Sequence, residues 1–288
     1  MNAILEINNL NKAYKNSYFS LQDVSFSIPR GTIMGFVGEN GSGKTTTIGC
    51  ILNTLIKDSG SVKIFDVEMT DAATHIRDDI GVVYDTNCFP EILTAAKISS
   101  MMKHVYTNWD ADLFNDYLQK FKLPAKKRIK TFSRGMSMKL GIAVALSHHP
   151  KLLILDEATS GLDPIVRDDI LDVLLEFVQD ENHSILLSSH ITSDLEKVAD
   201  YITFIHDGRI IFSQDKDKLK YKYGIMRLKA SQFEELDKND ILAYRRHDYQ
   251  IDVLIADREA IQKKHKDAII DSATIEEIML MYVKGERI

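Results

Sequence analysis

The sequence predicts an α/β fold with a mainly parallel sheet, an antiparallel layer near the N-terminus and a helical insertion. Short, continuous apolar runs recur along the chain, as is typical of strands buried on both faces of a parallel sheet. These runs cover residues 62–65, 80–84, 152–155, 185–187 and 202–205. Apolar residues alternate with polar ones around Ile4 and Leu21, which favours an antiparallel layer in that region.

Strand patterns disappear in the middle of the chain, where the apolar residues recur at helical spacing. Asp110 is suited to cap a helix with one apolar face, and Ser133 is suited to cap the next helix. We therefore expect a helical insertion over about residues 86–150, inside a first domain of residues 1–214.

The last quarter of the chain differs in composition from the rest, because it is charged and mixed after Gln214. Thr274 and Glu277 form the capping box of a helix near the C-terminus. We expect residues 215–288 to form a small accessory domain.

The overall charge and the cysteines exclude several classes of function. The net charge of −6 and the pI near 5.9 argue against nucleic acid as the main partner, since phosphate neutralisation needs a basic face. Cys50 and Cys88 lie far apart without metal-binding spacing, so neither a disulfide framework nor a zinc site is predicted. No signal peptide is recognisable, and no apolar run approaches the ~20 residues of a membrane span. We expect no direct membrane span, so that any membrane role comes through a partner.

A glycine-rich loop at residues 38–45 reads GENGSGKT and lies between an apolar strand and a helix-prone stretch. This is the GxxxxGK(S/T) pattern of a P-loop, a loop whose backbone N–H groups bind phosphates. Lys44 adds a positive charge over the β- and γ-phosphates, which makes it a catalytic candidate, and Thr45 offers a hydroxyl to Mg²⁺. The nucleotide-binding residues predicted here are Gly38, Asn40, Gly41, Ser42, Gly43, Lys44, Thr45 and Thr46.

The apolar run 152–155 ends in two carboxylates, Asp156 and Glu157. A buried strand delivers Asp156 to the carboxyl edge of the sheet, where ligands of open α/β folds bind. There Asp156 can hold Mg²⁺ through water, and Glu157 can polarise an attacking water. A strand that ends in a polar turn is the simpler interpretation of an isolated Asp-Glu pair, but the P-loop favours the catalytic one.

With these two motifs in place, the chain resembles the ATP-binding subunits of ABC transporters over residues 3–212. Residues 132–136, FSRGM, stand where the family's LSGGQ signature belongs, and residues 160–163, SGLD, look like its D-loop. His190 matches the switch histidine, and Tyr14 matches the aromatic residue that stacks on adenine. Structural roles stay open for both: a hydrogen-bonded histidine at a strand end, and a turn aromatic that covers the antiparallel layer.

The resemblance implies a head-to-tail dimer that clamps ATP and Mg²⁺ between two copies of the site. Ser133, Gly135 and Asp163 would complete the partner's site, with the Ser133 hydroxyl and the positive end of its helix aimed at the γ-phosphate. Glu157 would act as the base, and His190 would bridge the γ-phosphate and the catalytic water.

Some positions depart from the family's pattern. Arg134 replaces the first glycine of the signature and Met136 replaces its glutamine, and Arg134 could face either the partner's nucleotide or solvent. The Q-loop glutamine is replaced by Asp85, a further candidate Mg²⁺ ligand beside Asp156. We expect Asp85 to make nucleotide sensing more dependent on Mg²⁺, and the alternative is a loop aspartate in solvent.

These departures resemble one subgroup, the Gram-positive exporters of bacitracin-type or other cell-envelope-active peptides, and more narrowly the exporters of phenol-soluble modulins. The resemblance implies a transmembrane permease as partner, a second ATPase subunit that is identical or paralogous, and a place on the cytoplasmic side of the cell membrane. Apolar residues near positions 85–102 are the predicted contact with the permease, or alternatively the insertion's own core. They are Cys88, Phe89, Ile92, Leu93, Met101 and Met102.

A soluble ABC ATPase that is not coupled to transport is the alternative function. Proteins of that kind tend to carry a second cassette, coiled-coil arms or zinc modules, and none of these is visible in this acidic sequence. A regulatory binder that does not hydrolyse ATP is disfavoured because Glu157 and His190 are retained.

Overall fold

The computed structural model describes residues 3–15, 18–86, 89–265 and 268–287. Contacts within the chain define two compact units. The first unit consists of Met1–Ala199 and Ile205–Ile210, and the second unit consists of Asp200–Phe204 and Ile211–Ile288. The domain boundary at residues 214 and 215 stays a prediction. Of the residues predicted to face a permease, Cys88 lies outside the described ranges.

The strands, in chain order, are β1 (Ala3–Ala13), β2 (Ser20–Pro29), β3 (Ile33–Val37), β4 (Ser59–Ile64), β5 (Val67–Glu68), β6 (Ile80–Tyr84), β7 (Leu152–Asp156), β8 (Ser184–Ser189), β9 (Tyr201–His206), β10 (Arg209–Asp215), β11 (Gly224–Leu228), β12 (Ala243–Arg246), β13 (Ile251–Ile255) and β14 (Ile270–Ser272). The helices are α1 (Lys44–Ile51), α2 (Ala95–Met102), α3 (Ala111–Lys120), α4 (Arg134–Leu146), α5 (Pro164–Phe177), α6 (Thr192–Val198), α7 (Lys216–Lys222), α8 (Ala230–Glu234), α9 (Arg258–Lys264) and α10 (Ile275–Lys284). No helix in the described ranges is long and apolar enough to cross a membrane.

The first unit contains the predicted antiparallel layer, a sheet in the order β2-β1-β4-β5. Its inward positions are apolar and its outward ones are polar, as in β2, where Val24, Phe26 and Ile28 are buried and Ser25 and Ser27 are exposed. This alternation is what a sheet with one solvated face requires, and it confirms the prediction.

Of the runs predicted for the parallel sheet, residues 80–84, 152–155 and 185–187 form β6, β7 and β8, which lie beside β3 in the first unit in the order β3-β8-β7-β6. The prediction is wrong for the run 62–65, because β4 pairs antiparallel with β1 in the other sheet. Strands β9 and β10 each contribute residues to both units. The register brings the strand ends together, since Tyr84 pairs with Asp156, Asp156 with Ser188 and Val37 with Ser189. The carboxyl edge of this sheet therefore carries the side chains that follow from these ends.

The helical insertion is confirmed, because α2, α3 and α4 occupy the region between β6 and β7 and no strand of the described residues lies there. Asp110 caps α3 by accepting hydrogen bonds from the backbone N–H groups of Asp112 and Leu113. Ser133 caps α4 by accepting one from Met136 N at 3.2 Å. Both caps were predictable because they depend on residues at most three positions away.

The second unit contains a sheet that the sequence did not predict, in the antiparallel order β12-β13-β11-β14. With α8 after β11 and α9 after β13, the unit follows the β-α-β-β-α-β succession of ferredoxin-like folds. Val253 and Leu254 are adjacent and both fully buried, so β13 is covered on both faces and shows no alternation. The predicted capping box of α10 is confirmed, with Thr274 Oγ1 accepting from Glu277 N at 3.1 Å.

Candidate functional site

The predicted phosphate-binding loop closes around the start of α1. Gly43 has φ 114°, and a Cβ there would stand 2.7 Å from a Leu21 methyl carbon, so this turn requires glycine. A Cβ at Gly38 would stand 2.4 Å from Ser42 Oγ and 2.5 Å from the Ile205 carbonyl oxygen. The loop therefore has room only for backbone at both positions, which lets its N–H groups point at a ligand.

A cavity of about 390 Å³ opens at this loop. It is lined by Phe19, Asn40, Gly41, Gly43, Lys44, Thr45, Thr46 and Glu157. The Ser42 hydroxyl beside it is buried and has no hydrogen-bond partner within the described residues. Since a buried hydroxyl without a partner costs free energy, Ser42 fits a phosphate oxygen as its acceptor.

Lys44 is held inside the loop, with only 5% of its side chain exposed. Its Nζ donates hydrogen bonds to the carbonyl oxygens of Gly38 at 2.7 Å and Glu39 at 3.1 Å. The same Nζ lies 3.1 Å from Glu157 Oε1. The lysine charge thus lies between the loop and the carboxylate that follows β7.

Asp156 and Glu157 are anchored by one hydroxyl of the neighbouring strand. Ser188 Oγ donates to Asp156 Oδ1 at 2.6 Å and accepts from Glu157 N at 3.2 Å. Ser188 is fully buried and Asp156 is 6% exposed, so these bonds lie in a region of low dielectric. Glu157 has φ 53°, a left-handed conformation that is uncommon outside glycine and is found in functional sites.

His190 contacts the carboxylate that the sequence predicts as the base, with Nδ1 2.7 Å from Glu157 Oε2. Glu157 is therefore held from two sides, by His190 at Oε2 and by Lys44 at Oε1. The predicted bridge from His190 to a phosphate and a water stays a prediction.

The candidate magnesium ligands occupy different places. Thr45 lines the P-loop cavity and Asp156 lies at the end of β7, whereas Asp85 is exposed and lines a second cavity. Among the residues with assigned positions, no group of three or more His, Cys, Asp and Glu side chains could hold a metal ion. The structure thus does not gather Asp85 with Asp156 and Glu157 into one carboxylate cluster, and the ligation itself stays a prediction.

Two aromatic residues lie near the P-loop, and the sequence singled out only one of them. Tyr14 is 38% exposed, and its Oη lies 3.4 Å from Thr46 Oγ1. Phe19 lines the cavity itself, and its Cζ would lie 3.0 Å from a Cβ at Gly43. Phe19 was missed because it precedes the alternating residues of β2, although an aromatic residue before a strand that faces a P-loop is a usable signal.

The segment that resembles the ABC signature packs against the segment that resembles the D-loop. A Cβ at Gly135 would lie 3.0 Å from Val166 Cγ1, and a Cβ at Gly161 would lie 3.0 Å from an Arg134 guanidinium nitrogen. Arg134 therefore lies against the D-loop backbone of its own chain. Asp163 caps α5, accepting from Val166 N at 3.0 Å.

The second cavity, of about 510 Å³, lies between the end of β6 and the helical insertion. Asp85, Phe89, Met102, Lys130 and Arg134 are among its lining residues. Next in the chain to the lining residues Glu91 and Met102, Ile92 exposes 72% of its surface and Met101 exposes 47%. Apolar groups that are exposed beside a cavity are typical of a surface for another protein.

Comparison with known proteins places this geometry in context. The family described as "ABC transporter" matches residues 21–160. The chain is 32% identical to the bacitracin transport ATP-binding protein BcrA of Bacillus licheniformis, over 87% of this chain and 83% of that one. It is 34% identical to the lantibiotic transport ATP-binding protein SrtF of Streptococcus pyogenes, over 84% of this chain and 100% of that one.

Solved structures agree with this similarity. A structure of an ATP-binding subunit of an ABC transporter superposes with a TM-score of 0.67 at 27% identity, covering 75% of this chain and 92% of the other. The fold is also shared with a dimeric ATP-binding cassette bound to ADP and Pi, at a TM-score of 0.66 and 22% identity, covering 74% and 98% of the two chains.

Proposed function

We propose, on the premise that this chain belongs to the ATP-binding subunits of ABC transporters, that it powers a membrane-embedded partner that exports peptides. As a member of that family the chain is an ATP hydrolase. One observation carries the residue assignment: the Glu157 carboxylate is held between Lys44 and His190 at the mouth of the P-loop cavity.

The residues of the P-loop bind the triphosphate in this proposal. Backbone N–H groups at the start of α1 and the Lys44 ammonium hold the phosphates, and Ser42 finds there the acceptor it lacks among the described residues. Mg²⁺ supplies positive charge that neutralises the phosphate oxygens. Thr45 and Asp156 would hold it through oxygen, the ligand type it prefers.

Glu157 acts as the general base, accepting the proton of the attacking water. The contact with His190 fixes the direction of its carboxylate, which a base needs before it can act on a bound substrate, and the Lys44 ammonium exchanges Glu157 for the phosphates. At the start of α4, Ser133 is exposed and Gly135 is buried, and neither lines the P-loop cavity of its own chain. In the proposed dimer they contact the nucleotide bound by the partner.

The membrane partner would dock at the second cavity, on the cytoplasmic side of the membrane. Its wall carries apolar side chains such as Phe89 and Met102, and the exposed Ile92 follows the lining residue Glu91 in the chain, which suits an amphipathic helix of the partner. A peptide cargo is supported by the names of two relatives, which are a bacitracin transport ATP-binding protein and a lantibiotic transport ATP-binding protein.

Co-purification from membranes tests the docking site. Ile92→Asp is expected to abolish co-purification with the membrane subunit while ATP binding is unchanged, because the side chain is exposed and its replacement leaves the core intact. Ile56→Asp is the matched control, since Ile56 is 79% exposed and lies in the same unit, but neither it nor its neighbours in the chain line the second cavity. A complex that survives Ile92→Asp contradicts the docking site, and a chain never recovered with membranes contradicts coupling to transport.

The cargo is tested separately by growth. Cells whose resistance to bacitracin or a lantibiotic depends on this chain are expected to lose that resistance when Lys44 is replaced by alanine. Unchanged resistance to both compounds would remove the peptide assignment while leaving the ATPase in place.

A further inference from the structure

The start of α5 connects the parts of the site that the motifs keep separate. Its consecutive residues contact different elements, namely Val166 with Gly135, Arg167 with Leu162 and Asp194, Asp168 with Lys197, and Asp169 with Lys139. The signature segment, the D-loop and α6 are therefore all linked to one turn of one helix. Among these links only Arg167 joins the D-loop to α6.

The Arg167 guanidinium spans two elements at once. NH2 donates a hydrogen bond to the Leu162 carbonyl oxygen at 3.3 Å, and NH1 lies 3.5 Å from Asp194 Oδ1. Leu162 belongs to the D-loop segment, and Asp194 lies in the first turn of α6, which begins two residues after His190. Arg167 thus sets the distance between the D-loop and the helix that follows the histidine.

This ion pair is a poor device for stability alone. The Asp194 side chain is only 5% exposed, and its Oδ2 has no hydrogen-bond partner among the described residues; the same holds for Arg167 Nε. A buried pair that is only partly hydrogen-bonded gains little over apolar residues of the same volume, because desolvation offsets the attraction. With 25% of the Arg167 side chain exposed, the pair is a candidate for a role other than stability.

We propose that Arg167 is a positioning residue for ATP hydrolysis, which fixes the D-loop and α6 so that His190 stays on Glu157. The inference rests on the proposed roles of His190 and Glu157. Lysine is not expected to replace it, because Arg167 makes the two contacts with two different guanidinium nitrogens and lysine has a single nitrogen. Arg167 lies outside the lining of the P-loop cavity, so it affects turnover and not nucleotide binding.

Arg167→Lys in the full chain is the test. The charge beside Asp194 is kept, so the melting temperature is expected to shift by no more than about 4 °C. The affinity for a fluorescent ATP analogue is expected to stay within about twofold of wild type. The turnover number is expected to fall by about 10–100-fold, the usual cost of a displaced catalytic group. Asp168→Asn is the matched control, because the Asp168–Lys197 pair joins the same two helices at the exposed surface, and it is expected to keep wild-type turnover.

Each result decides the inference. Normal turnover of Arg167→Lys beside an active wild type overturns it, as does an equal loss in Asp168→Asn, which would show that any link between the helices serves. If Arg167→Lys does not fold, Arg167→Met with Asp194→Leu replaces the pair by apolar groups. That double variant is expected to fold and to have the same low turnover, and wild-type turnover in it overturns the inference. Activity of wild type and its loss in Glu157→Gln test the proposed function separately.

Discussion

Replacing Ser188 with alanine is expected to weaken both the fold and the use of Mg²⁺, because one hydroxyl anchors Asp156 and the Glu157 backbone. Ser188 Oγ donates to Asp156 Oδ1 at 2.6 Å, and a hydrogen bond to a charged group contributes about 1.5–3 kcal/mol. At about 2–4 °C per kcal/mol for a chain near this size, the melting temperature should fall by about 3–12 °C. Loss of a hydrogen-bonding partner of a metal-binding carboxylate typically costs about 10–100-fold in metal affinity or activity.

The assay is a magnesium titration of ATP hydrolysis beside a thermal melt. The midpoint for Mg²⁺ is expected to rise by about 10–100-fold in Ser188→Ala. Ser184→Ala at the other end of β8 is the control, since among the described residues its hydroxyl bonds the neutral backbone of Pro29 and Gly31. In Ser184→Ala the free energy of unfolding is expected to fall by about 0.5–1.5 kcal/mol, and the midpoint of the Mg²⁺ titration is expected to stay that of wild type. An unchanged midpoint in Ser188→Ala, or an equal rise in Ser184→Ala, refutes the proposed role of the hydroxyl.

Two further predictions concern the nucleotide and pH. Phe19→Ala is expected to weaken binding of a fluorescent ATP analogue by about 1–3 kcal/mol, the usual loss when an aromatic side chain that stacks on a base is removed. Tyr14→Ala should weaken this binding less, because the Tyr14 ring is exposed and lies outside the cavity lining. Equal losses in the two variants would contradict this order. Burial lowers the pKa of His148 from 6.5 and outweighs the opposite effect of the Ile80 and Val144 carbonyl oxygens, which lie near its two ring nitrogens and favour the protonated form. As the pH falls, His148 therefore takes up a proton in the unfolded chain before it does so in the folded one. The contribution of neutral, buried His148 to the free energy of unfolding is complete above pH 6.5 and is lost as the pH falls below that value. Urea unfolding at pH 7.5 and 5.5 should show that loss in wild type and a smaller one in His148→Gln, and equal losses would contradict it.

The parts of the fold that the sequence predicted depend on local rules. Asp110, Ser133 and Thr274 were identified as helix caps because a cap needs only a side chain and the backbone two or three residues later. The P-loop was identified because its glycines, Lys44 and the flanking strand and helix are contiguous.

The parts that the sequence did not predict depend on distant pairs or on burial from both sides. The bond from Ser188 to Asp156 joins residues 32 positions apart, and only the strand register brings them together. The orientation of Arg134 was left open because its contact, Gly161, belongs to another loop. Strand β13 gave no alternation because its adjacent residues Val253 and Leu254 are both buried.

We propose that Glu157, held between Lys44 and His190, is the base of an ATP hydrolase that works as a dimer. The most direct measurement is the turnover of purified Glu157→Gln beside wild type, with the dimer fraction measured in MgATP. We predict that turnover falls by about 10²–10⁴-fold, the usual contribution of a general base, and that an ATP-bound dimer persists. Wild-type turnover in Glu157→Gln, or a chain that stays monomeric in MgATP, would contradict the claim.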